Sequence, residues 1–197
     1  IYVTHGHLDH FGQGAKLRDL SGAEVYAHPE ESVRIQENPS ERLNEHRDIA
    51  VPIFRDFAVP EDVIDGMFNF RKMFRQFAQV LEETLPLADG EVHRFGNVDL
   101  EVVHCPGHAS GLVCFYQREQ HYLVANDHLI KHITPNPVMQ LPTEPGGERF
   151  KALWTYLESL DKVRRLRPKL VYSGHGVDIT DTDGLIDYYF QHHDQRQ

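Results

Sequence analysis

Between residues 61 and 85 the apolar side chains Val63, Met67, Phe70, Phe74, Phe77, Leu81 and Leu85 recur at steps of three and four. That spacing predicts an amphipathic helix, rich in Phe and Met, bounded by Pro60 and Pro86. Phe150, Leu153, Trp154, Leu157, Leu160, Val163 and Leu166 predict a second, ending before Pro168. A third helix is expected from Asp9 to about Leu20, with Phe11, Ala15, Leu17 and Leu20 as its apolar positions, and the tail from Gly184 is also helical. Strands are expected over 1–4, 23–27 and 170–173, a hairpin over 91–95 and 98–104 around Gly96 and Asn97, and a second pair over 112–116 and 121–125. Residues 30–58 are polar and interrupted by proline, which predicts irregular chain with short helical pieces, and 132–147 read as a proline-rich loop. Strands and helices alternate in this way in a mixed α/β layered domain.

The chain has 197 residues, enough for one domain with a real core, and 40% hydrophobic with 25% charged residues suits a globular protein. Its formal net charge of −10 argues against a broad nucleic-acid surface. Cys105 and Cys114 are the only cysteines, so neither a disulfide framework nor a thiolate zinc finger is available. No apolar run approaches the ~18 residues needed to span a bilayer. With no signal peptide in view, a cytoplasmic location and a small-molecule substrate are the expectation.

Histidine changes the picture. There are 14, and three of them, His5, His7 and His10, share the stretch THGHLDH with Asp9. In an extended segment residues i and i+2 point to the same side, so His5 and His7 can grip one metal while Gly6 lets the backbone pack close. Asp9 and His10, where the chain turns into a helix, can face a second. Such an N/O donor set suits Zn²⁺, with Mn²⁺ or Fe²⁺ as alternatives. A metal pair ~3.5–4 Å apart is a known hydrolytic arrangement, and a bridging carboxylate is its natural further ligand.

Four motifs in order carry a resemblance: THGHLDH, HCPGHASG (104–111), ANDHLI (125–130) and YSGHG (172–176). Together they resemble the signature of the metallo-beta-lactamase superfamily. The resemblance implies an αββα sandwich, incomplete at its N-terminus, with the helical insertion at about 30–88. It implies one such domain over 1–197, continued beyond both ends in the native chain. It also implies that His5, His7 and His108 hold one metal and that Asp9, His10 and His175 hold the other, with Asp127 bridging. Asp9 and Asp127 are the catalytic carboxylates by this reading, and a hydroxide shared by the two metals is the attacking group. Asn126 departs from the glycine usual at its position. The text of 127–137 and 188–196 is similar to the lactamase-beta-2-like or hydroxyacylglutathione-hydrolase-like branch.

The function this implies is metal-dependent hydrolysis of a thioester, lactone or other small ester. A phosphodiesterase or nuclease of the same superfamily is the alternative, for which 71–75 and 163–169 are the basic candidates. A mononuclear iron sulfur-dioxygenase is a third reading. A flavodiiron enzyme fits less well, since by resemblance it carries Glu where His7 stands, and a non-enzymatic relative would have broken the ligand set. The Phe/Met helix is a candidate lid over an apolar substrate, with Phe70 and Phe74 as contacts. His128 and His132 either reach the substrate or sit solvated in a loop. His104 reads as a packing or supporting residue, and Cys105 as a thiol that the metal mechanism does not need.

Overall fold

The computed structural model describes residues 1–36, 39–75, 77–138, 140 and 147–195, with backbone alone for 39–45 and 75. These divide into two compact units, Ile1–Pro86 with Gln140–Phe150, and Leu87–Met139 with Lys151–Gln197.

In the first unit β1 (Tyr2–Val3) leads through the His5–Gly6–His7 bend into α1 (Leu8–Phe11) and α2 (Gly14–Ser21). The expected single helix from Asp9 is thus broken at Gly12 and Gln13. Phe11 and Ala15 are buried, but Leu20 is 76% exposed and Leu17 is exposed as well. Gly22 ends α2 at φ 66°, a left-handed cap that favours glycine. β2 (Tyr26–Ala27) pairs parallel to β1, and His28 and Pro29 start α3 (Pro29–Gln36). Val3, Phe11, Ala15, Val25, Ala27, Ile35 and Leu81 form the core of this unit.

Two expectations fail in the next stretch. Residues 30–36 and 39–56 are helical, not irregular: α3 is followed by α4 (Pro39–Asp56), which carries Pro52 in its interior without ending. The Phe/Met helix, α5 (Glu61–Arg75), is shorter than its pattern, because the chain turns at Phe77 and runs to β3 (Leu85–Pro86), parallel to β2. Its face is also reversed. Ile64 and Phe68 pack against Ala50, Val51 and Phe54, while Phe70 is 61% exposed and Val63, Met67 and Phe74 share its exposure. α5 carries two apolar stripes, and periodicity alone does not say which faces inward.

The second unit is built on one five-stranded sheet. β4 (Val92–Phe95) and β5 (Val98–His104) form the expected hairpin, with Gly96 at φ 63°. β6 (Val113–Gln117) and β7 (Tyr122–Asn126) continue it antiparallel, and β8 (Leu170–Ser173) lies parallel to β7. Every residue of β6 is buried, as a central strand covered on both faces demands. α6 (Ala152–Leu166) and α7 (Thr182–Asp194) supply Tyr156, Leu160, Val163, Ile186 and Tyr189 to the core beneath it. The inward face of α6 is again not the full predicted stripe, since Trp154 is exposed and bonds Glu158 instead. No helix among the described residues is long and apolar enough to cross a membrane.

Candidate metal centre

The first unit contributes His5, His7, Asp9 and His10. His5 is fully buried at the end of β1, and its Nε2 lies 3.0 Å from Nδ1 of His7, with the rings edge to face. His7 is the residue before α1, and its carbonyl accepts the N–H groups of His10 and Phe11. That turn brings the His10 ring to 4.1 Å from the His5 ring and places Asp9 beside it, Oδ2 to His10 Nε2 at 3.5 Å. Four donors are therefore collected on one short turn, as the sequence pattern leads one to expect. The turn itself is held by a residue that the pattern does not reveal. The N–H of Gly6 donates to Oε2 of Glu31 at 2.7 Å, from the first turn of α3.

The second unit contributes His108, Asp127 and His175. The Asp127 carboxylate, nearly buried at the end of β7, has Oδ2 3.5 Å from His108 Nε2 and Oδ1 3.4 Å from His175 Nε2. One carboxylate between two imidazole nitrogens is the arrangement a bridging ligand needs. Nδ1 of His108 bonds the Asn136 carbonyl at 2.9 Å, which assigns the proton to Nδ1 and leaves the Nε2 lone pair facing Asp127. The His175 side chain is 49% exposed, on the Gly174–His175–Gly176 turn after β8. Gly174 is required there, because a Cβ would lie 2.6 Å from Asp127 Oδ1. Asn126 adopts φ 48° at the β-bulge before Asp127, and its side chain donates to the Val113 carbonyl. Asparagine tolerates this left-handed geometry better than other non-glycine residues, which explains how it can replace glycine.

α6 and α7 hold both loops of this unit. Ser159 Oγ donates to the Pro106 carbonyl at 2.7 Å, and Lys162 Nζ donates to the His104 carbonyl and to Asp89. His104 Nε2 in turn bonds the Ser110 carbonyl at 2.9 Å, so it closes the 104–111 loop and holds it, in the supporting role expected of it. The Tyr156 hydroxyl donates to the His128 carbonyl, and the Ser173 hydroxyl to that of Leu129. The Tyr189 hydroxyl takes the Ile130 N–H and donates to the Ile130 carbonyl. Burial pushes the Tyr189 phenol up to about 12, so it stays a donor at any physiological pH. Of these residues, Tyr156 and Ser159 stand in no motif. A buried Tyr or Ser on the inward face of a helix is their only sequence signal, and it does not distinguish them from ordinary core.

The remaining candidates lie in different surroundings. His128 is not solvated: it is fully buried, its ring edge-on to Tyr156 at 5.3 Å. Burial pushes its pKa down to about 3, so the imidazole is neutral. Because the folded pKa lies below the unfolded value of ~6.5, the unfolded chain binds the extra proton, and stability falls as pH drops from about 6.5 towards 3. The slope from this group is at most ~1.4 kcal/mol per pH unit. Urea midpoints at pH 7 and pH 5 should fall further apart in the wild-type protein than in His128→Gln; equal separations would contradict the assignment. His132 is exposed on a turn. The Phe70 and Phe74 rings lie 4.4 Å apart, tilted by 46°, and Phe74 lines a groove of about 670 Å³ with Leu8, Asp9, His10, Phe77 and Ala78. Cys105 and Cys114 are buried, and burial pushes the Cys114 thiol well up.

Comparison with known proteins shows the family. Residues 1–175 match the metallo-beta-lactamase superfamily. The structure superposes on a metallo-beta-lactamase family protein of Thermus thermophilus with TM-score 0.82 and 29% identity, covering 100% of this chain and 60% of that one. "Probable metallo-hydrolase YqjP" of Bacillus subtilis is 26% identical over 193 residues, 96% of this chain and 58% of its own length. An atrochrysone carboxyl ACP thioesterase of Aspergillus fumigatus is 26% identical over 102 residues, 52% of this chain and 21% of that protein. The chain spans about half the length of the curated relatives it matches. Four histidine and aspartate motifs in order and a match over residues 1–175 together make this chain a member of the metallo-beta-lactamase superfamily, with the α/β fold of that family.

Proposed function

We propose that the chain forms the metal-binding part of a hydrolase acting on thioesters, lactones or other small esters. The observation that carries it is Asp127, whose two carboxylate oxygens each face an imidazole, His108 and His175. Following the family motif, His5, His7 and His108 would hold one divalent ion and Asp9, His10 and His175 a second, with Asp127 between them. Zinc is the proposed metal, with manganese or iron as alternatives. When bound, such ions act as Lewis acids on the substrate oxygen and lower the pKa of water from 15.7 towards ~7. The protein residues do the rest. Asn136 fixes the tautomer of His108, Asp127 orients the attacking water, and Asp9 acts as a ligand rather than a free base. No side-chain nucleophile is needed, and buried Cys105 is not placed to be one.

An acyl thioester is favoured within this class for two reasons. Phe74 and Phe77 offer apolar contact beside Asp9 and His10, and the similar fungal protein is named as a carrier-protein thioesterase. The nuclease reading is weaker. Arg164, in the basic run 163–169, is engaged by Asp183 and Asp187 and lies over Phe190. The test is a panel of acyl thioesters of two to sixteen carbons (roughly spanning free to fully buried chains), lactones and phosphodiesters. Activity that chelation removes and zinc restores, on thioesters or lactones, supports the proposal; activity on phosphodiesters alone rejects it. Within that panel Phe70→Ala with Phe74→Ala should weaken long acyl substrates more than short ones. An equal loss across chain lengths would rule out the lid.

A further inference from the structure

The structure assigns Glu31 as the positioning residue for the His5–Gly6–His7 turn, acting through one hydrogen bond to the Gly6 peptide. Three observations meet at this residue. Its carboxylate is fully buried although it lies in the first turn of a helix whose neighbours Glu30 and Val33 are exposed. Its Oε2 accepts the Gly6 N–H at 2.7 Å, across a sequence separation of 25. A Cβ on Gly6 would come within 2.8 Å of that same oxygen, so glycine at this point is what lets the peptide reach the carboxylate.

The consequence for the site follows from where the bond is made. Gly6 is the single residue between His5 and His7, and the orientation of its two flanking peptides decides whether the imidazoles converge. A charge-assisted bond from a fixed helix to that peptide leaves the turn one orientation instead of several. The helix end is itself anchored. Arg34, one turn on, lies 4.0 Å from the other carboxylate oxygen, stacks its aliphatic part over Gly6, and donates to the side chain of Gln140. α3 thus brings an acid and a base onto the back of the histidine turn. The inference rests on the reading of His5 and His7 as metal ligands, and it predicts that Glu31 acts on metal affinity without touching the metal.

The experiment is zinc affinity by competition with a chromophoric chelator, on protein first stripped of metal, with circular dichroism to confirm folding. Wild-type protein should bind, and Glu31→Ala should bind about 10–100-fold more weakly, the range typical of a lost supporting partner. Glu31→Gln keeps an oxygen that can accept the same N–H and should stay within about threefold of wild type on that account. Gly6→Ala attacks the bond from the other side. It should weaken zinc binding to a similar degree, and the double variant Gly6→Ala, Glu31→Ala should be little worse than either alone. Wild-type affinity in Glu31→Ala or in Gly6→Ala would overturn the assignment. So would a Glu31→Gln variant as weak as Glu31→Ala, which would make the charge, not the hydrogen bond, the active feature. Wild-type protein that takes up no zinc, manganese or iron would overturn the metal reading, and this inference with it.

Discussion

Asp127→Ala is expected to lose both bound metal and hydrolysis, with a larger fall in kcat/KM than any other single substitution proposed for this protein. Losing an outer partner of a metal ligand costs about 10–100-fold, and a ligand shared by two ions should exceed that. The reason lies in its two contacts. Oδ2 faces His108 at 3.5 Å and Oδ1 faces His175 at 3.4 Å, so removal of one side chain strips both imidazoles of their common acidic neighbour. Asp127→Asn is the sharper probe. It keeps the shape and one oxygen but removes the charge, and it should retain part of the metal while losing most of the rate. Elemental mass spectrometry and steady-state kinetics on the same preparations separate these effects. Full metal content with full activity in Asp127→Ala would remove the foundation of the proposed mechanism.

The ligand candidates were legible because each sits in a short motif at the end of a strand. A local pattern such as THGHLDH needs no distant partner to be recognised, although the helix expected to run on from Asp9 is broken at Gly12 and Gln13. What supports those ligands was not legible. Glu31 is 25 residues from the peptide it holds, and Tyr156 is 28 from the carbonyl it caps. Such pairings depend on which helix face meets which loop, and that is decided only by packing. The same gap explains the misread helices. α5 has Ile64 and Phe68 on one face and Val63, Met67, Phe70 and Phe74 on the other, both with helical spacing, and the smaller stripe is the one α4 buries. His128 illustrates the limit from the other side. A histidine next to a ligand aspartate suggests chemistry, yet its ring lies in the core of the second unit, neutral and against Tyr156.

The hairpins fared better, for a physical reason. Alternation, a glycine at the turn and antiparallel neighbours in sequence leave little room for another pairing, and 91–104 forms as expected. The loop that follows it is where local sequence and distant packing meet most tightly, and it gives the second large prediction. Gly107→Ala should destabilise the protein by several kcal/mol: about 1–3 from overpacking and about 1–3 from backbone strain. Gly107 has φ 143°, and a Cβ there would lie 2.4 Å from Cβ and 2.5 Å from Cα of Tyr156. The Cα belongs to the α6 backbone and cannot swing aside like the tip of a side chain. At roughly 2–4 °C per kcal/mol for a chain of this size, the thermal midpoint should drop by about 10 °C. Gly176→Ala is the matched control. Gly176 also has positive φ, 85°, but nothing lies within 4 Å of its missing Cβ, so only the strain should register. Equal midpoints for the two variants would mean that the contact with α6 yields. A clearly larger drop in Gly107→Ala would show that His108 is held where it is by the closeness of its loop to α6, the helix that also carries Tyr156 to the loop after Asp127. One helix would then fix the positions of two candidate ligands whose motifs lie about twenty residues apart in the chain.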